Sequence, residues 1–315
     1  MTLAIGVDVG GTKVLGGVVD DDGKVIAEIR RPTPSQDPDE TAEVIVGVIL
    51  ELCADHEAVA VGVGAAGFID ESRSTVRFAP NLAWRDEPLR ERLAGRVPLP
   101  VFIENDANAA GWAESRFGAG RGHDDLLLIT VGTGIGGAIV LDGTLYRGRF
   151  GGAGEPGHMI VEHEGIRCGC GNQGCWEQYS SGGALTRAAR ERAKASPVTA
   201  ARLLELADGD PDAITGPFVT QAAEEGDALA LELVDQIAGW LGIGLANLSA
   251  LLDPGLFILG GGVSQAGHLL LDPVQAAYAA ELTGRGYRPL AEVVLAQMGN
   301  EAGLVGAADL ARREA

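Results

Sequence analysis

The chain has 315 residues, about twice a typical domain length, so two lobes around a cleft are expected rather than one small module. Hydrophobic residues make up 46% and charged residues 22%, which excludes a disordered chain; a net charge of -20 with 5% aromatics leaves no phosphate-neutralising surface and no base-stacking platform, so nucleic acid is not an expected partner. The most apolar stretch, 240–252, is broken by Asn247 and Ser249 and reads as too short for a membrane span, and the start MTLAIGVDVGG carries no secretory pattern, so a cytoplasmic protein with no membrane partner is expected.

Residues 4–30 alternate short apolar runs with turns (AIGVDV, GGTK, VLGGVV, DDDGK, VIAEIR), which predicts a β-meander. A helix is predicted over 37–56, with Asp37 and Asp39 favouring its start, followed by the buried strand AVAVGVGAAG and a second helix at 86–94. PLPVFIEN reads as a strand that ends where the helix DANAAGWAESRF begins. At 125–147 the first plan returns as DLLLITV, GTGIGG, AIVL, DG and TLYRG. Asp20 follows Gly10 by ten residues and Asp142 follows Gly132 by ten, so an internal duplication is expected. From 181 to 252 the pattern is helical, interrupted by Pro197, Pro211 and Pro217; the strand GLFILGGG, a helix, the strand EVVLAQM and a last helix from about 300 close the chain. This alternation predicts an α/β fold, and with no Pro- or Ser-rich linker the lobes 1–110 and 111–299 are expected to join through a hinge near 110–120.

Cys168, Cys170 and Cys175 fall within eight residues of one another in GIRCGCGNQGCWEQ, with His158 and His163 just upstream. Three thiolates and one imidazole suit a tetrahedral zinc, and a closed set of four protein ligands makes the metal structural. Reduced, unligated thiols are the alternative. Cys53 shares helical spacing with Ile45, Ile49 and Leu52 and reads as a core residue.

Four further motifs could carry chemistry. In DVGGTK, from Asp8 to Lys13, the glycines let backbone N–H groups approach a phosphate, and Thr12 and Lys13 add a hydroxyl and a cation; GTGIGG, with Thr133 and Gly134, repeats the arrangement. Because a strand follows each turn, neither is a P-loop or a dinucleotide fingerprint, and a plain hairpin turn is the alternative. Gly260 to Gly262 lie at the carboxyl end of a buried strand, where a flat nucleoside can approach the backbone or a helix simply begins. In FIENDANAA, Asp106 reads either as an N-cap or as a general base for an attacking hydroxyl. Glu155 and His158 of GEPGH, with Glu177 after the cysteines, make a set able to hold vicinal hydroxyls; alternatively His163 takes the metal and both carboxylates are solvated.

Taken together, these motifs resemble the sugar kinases of the repressor, open reading frame, kinase (ROK) family over nearly the whole chain. DVGGTK and VGTGIGG resemble its two phosphate motifs, ENDANAA its catalytic motif, and GEPGH with CGCGNQGCWE its sugar and zinc signature. The resemblance implies the duplicated ribonuclease-H-like fold of actin and hexokinase, with the last helix, about 300–315, packed back on the first lobe. It implies Asp106 as base, and Gly67, Asn81, Asn105, Glu155, His158 and Glu177 around the sugar. Asp8 would face Mg²⁺ and the phosphates, Gly10, Gly11, Thr12, Lys13, Thr133 and Gly134 would cradle the phosphates, and Gly261 and Gly262 would meet the adenosine. His158, Cys168, Cys170 and Cys175 would bind Zn²⁺. The implied activity is that of an ATP-dependent glucokinase, in a homodimer or homotetramer. Fructose, mannose or an N-acetylhexosamine as acceptor, and polyphosphate as donor, stay open. A sugar-sensing repressor is disfavoured, because the phosphate motif begins at Asp8 and leaves no room for a DNA-reading helix.

Overall fold

The computed structural model describes residues 2–315. The meander forms as β1 (Leu3–Val9), β2 (Lys13–Val19) and β3 (Val25–Pro32). Helix α1 (Pro38–Asp55) follows; Asp37 caps it by accepting from the N–H groups of Asp39 and Glu40, and Pro38 at its first position gives up no helical hydrogen bond. Strand β4 (Ala58–Ala65) pairs parallel with β1. The short strands β5 (Phe68–Ile69), β6 (Val76–Phe78) and β7 (Arg85–Glu87) form an antiparallel sheet of their own. The helix expected at 86–94 is therefore only α2 (Leu89–Leu93): residues 85–87 satisfy their backbone against β6, and Pro88 stands at the helix start. Strand β8 (Val101–Asn105) leads directly into α3 (Asp106–Phe117), followed by β9 (Leu126–Val131), β10 (Ile135–Leu141) and β11 (Thr144–Leu145).

After the cysteine loop come α4 (Glu177–Ser180), α5 (Gly182–Ala195), α6 (Ala201–Leu206) and α7 (Gly216–Glu224). Pro197 lies just past α5, whereas Pro217 sits in the first turn of α7 and starts that helix instead of breaking one. Helix α8 (Ala228–Leu252) runs 25 residues, well beyond the stretch read as most apolar, and is long and apolar enough by composition to cross a membrane. It is a core helix, with Leu233, Ile237, Leu241 and Leu245 buried. Strand β12 (Leu256–Gly260), α9 (His268–Glu281), β13 (Glu292–Leu295) and α10 (Ala302–Arg312) complete the chain.

The two large sheets have the orders β3-β2-β1-β4-β8 and β11-β10-β9-β12-β13. Each is a three-strand meander followed by two further strands, which is the duplication anticipated from the paired glycine turns. The chain divides into two compact units: Met1–Leu128 with Ala138–Gly154 and Gln297–Ala315, and Ile129–Gly137 with Glu155–Ala296. Residues 110–117 lie inside the unbroken helix α3, and the chain passes between units at 128–129, 137–138, 154–155 and 296–297.

Within the first unit both faces of the sheet are buried. Ile5, Val7, Val9, Val14 and Val18 meet α1 and α2 on one face, with Cys53 packed at the margin of that core. Ala4, Leu15 and Val19 meet α3 and α10 on the other. Helix α10 approaches almost backbone to backbone: a Cβ at Gly62 would lie 1.9 Å from the Ala307 carbonyl oxygen, and one at Gly306 would lie 1.7 Å from that of Ala109. A buried Asp309 fastens the helix by accepting from the Trp112 indole at 2.8 Å and pairing with Arg312.

Candidate active site

In the first unit the turn between β1 and β2 is closed by Gly10 N–H donating to the Lys13 carbonyl at 3.0 Å. Thr33 braces it, its hydroxyl donating to the Gly10 carbonyl at 2.8 Å. A Cβ at Gly11 would meet Asn81 at 2.9 Å, which places the exposed Asn81 directly against the turn. Asp8, next to last in β1, lies on the face that α10 covers, where a Cβ at Gly303 would lie 3.5 Å from its Oδ1. Burial pushes the Asp8 carboxyl up to about 6; the nearby Asp106 carboxylate adds to the rise and Lys13 opposes it.

Asp106 opens α3, but it is not the cap. Asn105 is: its Oδ1 accepts from Asn108 N–H at 2.9 Å, and its amide donates to the Gly67 carbonyl at 3.1 Å. The N-cap alternative weighed from sequence for Asp106 therefore falls to Asn105. Burial raises the proton affinity of Asp106, opposed by backbone N–H groups of its own turn, and a carboxylate so raised accepts a proton more readily. Asn105 has much of its amide engaged by the fold, so one N–H and one lone pair remain for a ligand.

In the second unit the turn between β9 and β10 is held from outside as well. Gly182 N–H donates to the Gly132 carbonyl at 2.8 Å and Gly183 N–H to that of Thr133 at 3.2 Å. A cavity of about 1100 Å³ is lined by Gly132, Thr133 and Gly262 together with residues of α5 and α7, among them Thr186, Arg187 and Gln221. These helical residues were missed in the sequence. The available signal was the spacing of Arg187, Arg190 and Lys194, which sets three cations along one face of α5. Gly261 and Gly262 differ in role: Gly261 has φ +85° and a Cβ there would lie 2.6 Å from the Val131 carbonyl oxygen, whereas Gly262 has open space beside it.

His158, Cys168, Cys170 and Cys175 converge, with one ligand atom from each all within 4.8 Å of one another. Cys170 and Cys175 sulfurs are 3.6 Å apart, and Cys168 Sγ is 3.7 Å from His158 Nδ1. A tetrahedral zinc with Zn–S bonds of about 2.3 Å puts neighbouring sulfurs about 3.8 Å apart, so the donor set fits that ion. His163 is exposed and outside the cluster.

Glu177, at the start of α4, lies between this cluster and the glycine turn. Its Oε1 accepts from the Cys168 thiol at 3.0 Å and its Oε2 from Ile135 N–H at 3.4 Å. Gly134 permits this approach, since a Cβ there would lie 2.5 Å from Oε2. Glu155 stands one turn before His158, its carbonyl accepting the His158 N–H at 3.2 Å. Trp176 is fully buried and its indole donates to the Trp240 carbonyl at 2.6 Å, anchoring the end of the cysteine loop on α8. The expected site residues are thus grouped as Asp8, Gly10 to Lys13, Gly67, Asn81, Asn105 and Asp106 in the first unit. Thr133, Gly134, Glu155, His158, the three cysteines, Glu177, Gly261 and Gly262 belong to the second.

Comparison with known proteins extends these observations to the chain as a whole. A glucokinase of Streptomyces coelicolor is 51% identical over 312 residues, covering 99% of this chain and 98% of that protein. A glucokinase of Thermotoga maritima is 38% identical over 308 residues, covering 97% and 96%. The crystal structure of a ROK family glucokinase from Streptomyces griseus, in complex with glucose and AMPPNP, matches with a TM-score of 0.90 at 51% identity over 99% of each chain. The ROK family model matches residues 4–314, and with both glycine turns, the β8–α3 junction and the His/Cys cluster in place this chain belongs to the ROK family.

Proposed function

We propose that the protein is an ATP-dependent glucokinase that transfers the γ-phosphoryl group to the 6-hydroxyl of glucose. The observation that carries this reading is the Asp106 carboxyl at the β8–α3 junction, beside the cap Asn105 rather than acting as the cap, in a chain similar over 99% of its length to glucokinases. Asp106 takes the proton of the acceptor hydroxyl as its oxygen bonds to phosphorus and ADP leaves. The family resemblance supports Gly67, Asn81, Asn105, Glu155, His158 and Glu177 as the residues that hold the sugar hydroxyls. The turns Gly10 to Lys13 and Thr133 to Gly134 cradle the phosphates, Gly10 by closing its turn onto the Lys13 carbonyl and the rest by offering backbone N–H groups, with the Lys13 ammonium beside them. Gly261 and Gly262 form the adenosine wall, Gly261 by shaping the backbone and Gly262 by leaving room. Mg²⁺ supplies charge neutralisation on the phosphates when it accompanies the nucleotide, and Asp8 is the carboxylate placed to hold it. Zn²⁺ on His158, Cys168, Cys170 and Cys175 is structural, fixing the loop that carries His158 and Glu177.

In this reading the first unit, which includes the terminal helix, carries the base, and the second carries the adenosine wall and the zinc loop, in place of the boundary at 110–111 expected from sequence. The enzyme works in the cytoplasm as a homodimer or homotetramer; family resemblance supports both points, and light scattering tests the second. Coupled ADP release with Mg·ATP and matched glucose, mannose, fructose, N-acetylglucosamine and N-acetylmannosamine tests the activity. Glucose is expected to be preferred. Preference for another hexose would replace the acceptor, and no turnover with any of them would overturn the kinase reading.

A further inference from the structure

Glu104, one residue before the cap of α3, is 4% exposed, yet it is a carboxylate that no step of the transfer touches. Its surroundings are all within the first unit. Arg147, in the segment after β11, reaches Oε2 with Nε and Nη2, each at 2.7 Å, and Arg73 Nε lies 3.8 Å away. Arg73 is itself tied to the Ile103 carbonyl at 3.3 Å and to Glu314 near the carboxyl end of the chain. Oε1 accepts from Asn105 N–H and from the Asn108 side-chain amide, each at 3.1 Å. Asn108 in turn donates its backbone N–H to Asn105 Oδ1 at 2.9 Å. The hydrogen bonds among Glu104, Asn105 and Asn108 therefore enclose the first turn of α3, and Asp106 stands on that turn.

A carboxylate withdrawn from water is tolerated only when it is paired and hydrogen-bonded, and the two-point grip of one guanidinium specifies direction as well as charge. An apolar side chain could fill the same volume, but it could not hold the Asn105 N–H and the Asn108 amide together. We infer that Glu104, gripped by Arg147, is a positioning residue for phosphoryl transfer, orienting the Asp106 carboxylate toward the acceptor hydroxyl. This rests on the reading of Asp106 as the base.

The test uses the full chain with three variants, comparing kcat and glucose KM with the stoichiometry and Kd of glucose binding by calorimetry. Glu104→Gln is expected to bind one glucose per chain with Kd within about threefold of wild type, while kcat falls by about 30-fold or more, because a shift on the order of 1 Å at a catalytic group costs about a hundredfold. Arg147→Lys keeps the charge and loses the fork, and is expected to lower kcat by about three- to tenfold at unchanged stoichiometry. Should Glu104→Gln fail to fold, Arg147→Lys decides. A kcat within twofold of wild type at full stoichiometry, or a kcat loss no greater than the loss of binding-competent protein, overturns the positioning role. Asp106→Asn separates the two claims. If it retains turnover, the base reading itself falls; if it loses turnover while Glu104→Gln and Arg147→Lys do not, only the positioning role falls.

Discussion

The turn at 10–13 and the turn at 132–134 occupy the same place in two sheets of the same strand order, yet they are equipped differently. With Gly10 aligned on Gly132, Asp8 corresponds to Thr130 and Lys13 to Ile135, so the first turn carries a buried anion and a cation where the second carries neither. The second borrows its carboxylate from Glu177, which arrives from α4 and meets Ile135 N–H. The duplicated hairpin thus keeps its turn in both copies while the charged groups diverge. In the proposed reading the base, Asp106, belongs to the first copy and the metal-ordered loop to the second.

The sharpest test of that division is Asp106→Asn. Turnover should fall by about 10²- to 10⁴-fold, the range over which a positioned base contributes, while glucose Kd stays within a few fold. A parallel loss of affinity and turnover would break the division, because it would make Asp106 a gripping residue.

Asp8 provides a test through pH. Its folded-state carboxyl is raised from 3.8 to about 6, so between these values the folded protein holds a proton that the unfolded chain has released. Stability should therefore fall as pH rises from about 4 to 6 and level off above. Asp8→Asn should remove that part of the decline, on the order of 2 to 3 kcal/mol in urea titrations without nucleotide or Mg²⁺. An identical pH dependence in wild type and variant would show that the first turn is not under electrostatic strain.

In the second copy, Cys170→Ser should abolish stoichiometric zinc, read by elemental analysis, and weaken glucose binding about tenfold through the loosened loop. Unchanged glucose affinity in zinc-free protein would separate the metal from the gripping set. The smallest effect should come from a matched pair of glycine replacements. Gly134→Ala forces Glu177 aside and should raise the KM for ATP about fivefold, on the order of 1 kcal/mol, whereas Gly132→Ala meets no atom within 4 Å and should stay within twofold. Equal effects in both would mean that the Glu177 contact does not shape the turn.

Much of this arrangement was legible from residue order. Short apolar runs alternating with glycine turns marked the two meanders, and the apolar run AVAVGVGAAG marked a buried strand. The spacing of the three cysteines marked a metal centre and the family resemblance singled out His158, while the residues alone left His163 open; in the fold, the backbone turn at 156–158 brings His158 into the cluster and His163 stays exposed outside it. The short sheet at 68–87 was not legible, since two- and three-residue strands carry no periodicity of their own and form only by pairing. The helical lining of the cavity in the second unit was missed for a related reason. Arg187 and Gln221 are ordinary surface residues until α5 and α7 are packed beside each other.

By itself the sequence determined the local chemistry: which turns accept positive φ or close backbone approach, which segments alternate, and which side chains can ligate, accept a proton or carry charge. Tertiary structure alone decided which of several eligible groups is assigned to each task. Asn105, not Asp106, caps α3; Gly261 is demanded by the Val131 backbone while Gly262 is left open; Glu104 is paired by an arginine 43 residues away. The physical reason is that hydrogen bonding and burial are settled by partners distant in the chain, and a polar group's role depends on which partners the fold brings within its reach.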